Sequence, residues 1–99
     1  MDQRKVSLIS EFLEDAFVGC SVHALEAKDG DATQFYQIVH EATDKILHRV
    51  FVSREFFDAH AEAEIVPALQ DLALLFCLRM AGLRRVIVRS ERIEIEQRP

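Results

Sequence analysis

From Lys5 to Phe17 apolar residues recur at three- and four-residue steps, at Val6, Ile9, Phe12, Leu13, Ala16 and Phe17, while Arg4, Glu11, Glu14 and Asp15 fall largely elsewhere on the wheel. This spacing predicts an amphipathic first helix. Gly19 follows where a left-handed C-terminal residue is wanted, and Cys20 to Ala27 alternates loosely, which predicts a first strand. Lys28-Asp29-Gly30-Asp31 reads as a turn, because glycine takes positive φ freely and aspartate bonds nearby amides.

Gln34 to Ser53 carries the clearest hairpin pattern: Phe35 to Glu41, a three-residue turn at Ala42-Thr43-Asp44, then Lys45 to Ser53. That turn length sets Glu41 opposite Lys45 and puts Tyr36, Ile38, His40, Ile46, His48, Val50 and Val52 on one face, predicted to be the core face. Phe35, Gln37, Val39, Leu47, Arg49 and Phe51 take the other. Ser53 can cap a short helical turn that carries Phe56 and Phe57 into the core.

Seven consecutive apolar residues, Leu72 to Leu78, lie inside the pattern of a second long helix. Proline is tolerated in a first helical turn and costs about 3 kcal/mol in an interior, so Pro67 predicts a helix from near Ile65 to Ala81, after an acidic linker Ala61-Glu62-Ala63-Glu64. Gly82 ends it. A run that long wraps every face of a helix, and one sheet covers only one face, so the first helix or a second subunit must cover the rest. Asp71 and Arg79 bound the run far below the roughly 18–20 apolar residues of a membrane span. Beyond Gly82, Leu83 to Arg89 reads as a strand buried on both sides, and Arg92 to Glu96 as a strand with one wet face. Ser90-Glu91 between them is either a hairpin turn or a bend in one strand.

The predicted fold is a two-layer α+β domain: helix, three-stranded antiparallel meander, helix, terminal strand or hairpin, with the helices on one face of the sheet. The order of the first five elements is similar to that of a double-stranded-RNA-binding domain. Such domains carry a lysine cluster at the start of the second helix, whereas this chain has His60-Ala61-Glu62-Ala63-Glu64, which would repel an RNA backbone; the order is therefore evidence of fold alone.

A length of 99 residues fits one domain, and an apolar fraction of 49% with 29% charged residues is ordinary for a globular protein. The N-terminal stretch lacks the apolar core of a signal peptide, and Cys20 and Cys77 read as small hydrophobes in a reducing compartment, so a cytoplasmic location is expected. Charge is uneven: residues 1–78 hold 6 Lys/Arg against 14 Asp/Glu, and residues 79–99 hold 6 Arg against 3 Glu. Arginine forks suit phosphate, which makes Arg84, Arg85, Arg89 and Arg92 the candidate anion site, and Arg85 and Arg89 would share a surface with Arg49 if their strands adjoin. The net acidity, and phenylalanines that mostly read as core-facing, weigh against nucleic acid. His40 and His48 share a hairpin face and are weak candidates for a metal site, since zinc takes three or four ligands. No phosphate loop can be built from three scattered glycines, and burial disfavours the thiolate of Cys77, so neither a cofactor nor catalysis is implied. The expected role is a protein-interaction module acting as a homodimer. Leu74, Leu75 and Leu78 would make the contact if the helix is used, and Ile93 and Ile95 if a sheet edge is used.

Overall fold

The computed structural model describes residues 3–26 and 32–97; the predicted turn at residues 28–31 lies outside them. Helix α1 (Gln3–Ala16) leads into strands β1 (Cys20–Glu26), β2 (Ala32–His40) and β3 (Ile46–Ser53). Helices α2 (Arg54–Ala59), α3 (Glu62–Asp71) and α4 (Leu74–Ala81) then carry the chain to β4 (Arg85–Val88) and β5 (Ile93–Ile95). The sheet has strand order β1-β2-β3-β4-β5. All neighbours are antiparallel except β3 and β4, which run parallel because three helices connect them. Arg89 donates its backbone N–H to the carbonyl of Arg92 at 2.8 Å, so the chain's end is a hairpin.

All helices lie on one sheet face, and the core fills the layer between. Val6, Ile9 and Leu13 of α1 meet Tyr36 and Ile38 of β2, Val50 and Val52 of β3, and Val86 and Val88 of β4. The predicted hairpin faces hold along most of its length, with Ile38 opposite His48, Tyr36 opposite Val50 and Phe35 opposite Phe51. Near the turn they do not. His40 and Lys45 close a four-residue loop, and Asp44 takes φ 62°. A register shift follows that pairs Val39 with Ile46 and separates Glu41 from Lys45. Glu41 accepts from the Ser21 hydroxyl at 3.4 Å instead.

The second helix departs most from expectation. Ala61 to Glu64 is no linker. α3 starts at Glu62, and the Glu64 carboxylate accepts the Ala61 N–H at 2.8 Å, so acidic side chains sit at the helix N-terminus where the dipole favours them. Pro67 falls inside α3, and this first-turn support helps to offset its missing hydrogen bond. The predicted continuous helix is then broken at Ala73, which adopts φ 58°, ψ 45°.

That break resets the helical phase. At about 100° per residue a straight helix would align Ile65, Leu69, Leu72 and Phe76 on one side and put Leu74 opposite them. Instead Ile65 and Leu69 of α3 and Leu74, Leu78 and Ala81 of α4 all reach the core. Phe76 is turned outward. The apolar run is therefore covered largely within the chain. Among the described residues, no helix is long and apolar enough to cross a membrane.

Candidate functional site

Two surfaces combine exposure with chemistry: the outward side of α4 and the sheet face opposite the helices. On α4, Phe76 is 64% exposed and Met80, one turn later, 61%; Leu83, just past the helix end, is 51% exposed. A large apolar trio at three- and four-residue spacing is uncommon on an isolated domain. Leu74 and Leu78, two of the residues expected at a helix-mediated contact, are buried in the chain's own core because of the break at Ala73, and Leu75 is partly buried against it. On the edge strand β5, Ile93 and Ile95 also turn inward and pack on the core, so pairing there would rest on backbone groups.

The open sheet face carries two transverse rows. One aligns His23, Gln37, Arg49 and Arg85 from β1 to β4; the next aligns Leu25, Phe35, Phe51, Ile87 and Glu94 from β1 to β5. The rings of Phe35 and Phe51 stack with centroids 4.4 Å apart, and the guanidinium of Arg85 sits 5.1 Å from the Phe51 centroid. Phe12, Phe17, Phe56 and Phe57 face the core, as expected of most of the seven phenylalanines, while Phe35 and Phe51 lie on the open face and Phe76 on the outside of α4.

The four candidate arginines do not form one patch. Arg84 donates to the carbonyls of Ala81 and Met80 at 3.0 and 2.9 Å, so it serves the C-terminus of α4, where a cation is favourable. Arg85 lies 3.6 Å from Glu96. Arg89 binds Glu94 at 2.7 Å and lies 3.6 Å from Glu55, while Arg92 is 3.4 Å from Glu94. The hydrogen bond from Arg89 holds the Glu94 carboxyl below its ordinary range. A polar cleft of about 260 Å³ is lined by Glu55, Arg89, Ser90, Glu91 and Arg92. The Ser90 hydroxyl donates to Glu55 at 3.0 Å and Arg89 lies 3.6 Å from the same carboxylate, so the contacts tie α2 to the terminal hairpin.

The histidines are not brought together as a metal site. His40 Nδ1 lies 3.3 Å from the Thr43 hydroxyl at the hairpin loop. His48 Nδ1 lies 3.3 Å from the carbonyl oxygen of Gly82, and its ring packs 5.1 Å from Phe17. Among the described residues no group of three metal-ligating side chains forms. Cys20 and Cys77 are both half-buried free thiols. The strand parity of Arg49 and Arg85 was visible in the sequence; the outward turn of Phe76 and Met80 was not, because it depends on a left-handed alanine that carries no sequence signal. The chain matches no family model, no curated protein and no solved structure.

Proposed function

We propose that this protein is an interaction module that self-associates, with α4 as the contact element and Phe76, Met80 and Leu83 as the contact residues. The supporting observation is the concentration of exposed apolar area on that one helix end, where Phe76 and Met80 stand more than half exposed one turn apart. Residues at this spacing form a continuous strip that a second copy can bury by packing helix against helix. Each such side chain contributes about 1.5–3 kcal/mol when fully buried, roughly half of it already gained in the monomer, and association costs about 4–15 kcal/mol, so the expected dimer is weak and reversible. Arg79 and Arg84 beside the strip leave its rim charged, as reversible interfaces are.

The test is absolute mass by light scattering across protein concentration, for the natural chain and for a Phe76→Ser, Met80→Ser double variant. The natural chain should shift from monomer to dimer as concentration rises, and more strongly at high salt, while the variant stays monomeric with an unchanged melting temperature. A natural chain that remains monomeric at high micromolar concentration would refute the proposal.

A further inference from the structure

The open sheet face holds an arginine, Arg49, whose Nε the described residues leave without a partner. Arg49 lies between Gln37 of β2 and Arg85 of β4 in register, so no carboxylate flanks it along its row. Its Nε is sealed from solvent and has no hydrogen-bond partner among the described residues. A donor left in that state is costly, and more so when it belongs to a charged group. Two guanidinium groups on adjacent strands also repel each other, and Arg85 relieves this only partly through Glu96 and the ring of Phe51. An anion arriving at the guanidinium groups of Arg49 and Arg85 removes their repulsion and gives Arg49 the counter-charge its row lacks.

We propose that this face binds single-stranded nucleic acid, with a backbone phosphate held by Arg49 and Arg85 and bases laid along Phe35, Phe51 and Ile87. Three features select this occupant. Paired arginine forks and an amide at Gln37 match the several oxygens of a phosphate, whereas one fork saturates a carboxylate. An apolar, aromatic row runs directly beside the cationic one, the combination that single strands use and that inorganic anions do not. The surface is an open sheet and not a concavity, which suits an extended strand better than a small nucleotide. Glu11, Glu14, Asp15, Glu62 and Glu64 belong to the helical layer on the other side of the sheet, and the carboxylates on this face, Glu94 and Glu96, lie at its β5 edge, paired with Arg85, Arg89 and Arg92.

The experiment is fluorescence anisotropy of a labelled oligodeoxythymidine of about 12 nucleotides, within the span of known single-strand sites. Binding should weaken with salt at a log–log slope of about −0.7, the value for one phosphate contact on a single strand. Arg49→Gln and Arg85→Gln should each weaken it about tenfold, the loss of one charged hydrogen bond. Arg49→Lys, which keeps the charge and the packed stem, should retain the fold and still lose affinity. The Phe76→Ser, Met80→Ser variant should bind as the natural chain does, which separates this proposal from self-association. Absence of binding at low salt, equal affinity in Arg49→Gln, or equally effective competition by polyglutamate of matched length would overturn it.

Discussion

The Tyr36 hydroxyl donates a 3.0 Å hydrogen bond to the backbone carbonyl of Val6, joining the second strand to the first helix across the core. Burial raises the Tyr36 phenol far above its ordinary value. Tyr36→Phe should lower stability by about 1 kcal/mol, because Val6 keeps its place in the helix and only one neutral bond is lost. A folded-state value above the unfolded one means that the contribution is whole below about pH 10 and is lost as pH rises beyond it. Urea midpoints measured between pH 9 and 11 should fall for the natural chain and fall less for Tyr36→Phe.

His48 provides the opposite dependence. Burial lowers its pKa, the bond to Gly82 opposes that shift, and the charge of Arg79 adds to it. The Gly82 carbonyl can only accept, so Nδ1 carries the proton of the neutral ring. A depressed folded value gives stability that is present above the ordinary histidine value, near 6.5, and is lost as pH falls through the folded value. Stability should drop on acidification from about pH 7 to 5, and His48→Gln should flatten that part of the profile; identical slopes would show that another group governs it.

α4 should respond unequally on its two sides. Leu78 is fully buried, so Leu78→Ala should cost about 2–5 kcal/mol, whereas Phe76→Ser at low protein concentration should stay within about 0.5 kcal/mol. Chemical denaturation of the two variants decides it, and similar losses would mean that Phe76 is not outward.

The junction between α3 and α4 should be improvable. Ala73 holds φ 58°, a conformation that costs an L residue about 1–2 kcal/mol, so Ala73→Gly should raise stability by about 0.5–1 kcal/mol after the added freedom of the unfolded chain is deducted. Gly82 at φ 61° should behave in reverse, with Gly82→Ala costing about 1–3 kcal/mol although a methyl group there would meet no neighbour. Thermal melts of both variants give the signs.

Periodicity alone made α1, the faces of β2 from Gln34 to Ile38 and of β3 from His48 to Val52, and the cap at Ser53 legible, because each depends on contacts between residues near in sequence or on a strict alternation. The parity that placed Arg49 and Arg85 on one surface was legible for the same reason. Their adjacency was not. It required β4 to lie parallel to β3, a pairing set by how three helices recross the sheet.

The apolar run Leu72–Leu78 marks the limit most clearly. Its composition required cover on every side, and a straight helix over one sheet cannot supply that. Folding resolves the conflict by strain at Ala73, so that Leu69 and Leu74, five positions apart, both enter the core and Phe76 is left outside. The local preferences of the chain favour continuing the helix, and alanine is its best former. The break exists because burying Leu74 and Leu78 outweighs about 1–2 kcal/mol of left-handed backbone, a balance between distant contacts and local strain that no window of sequence contains.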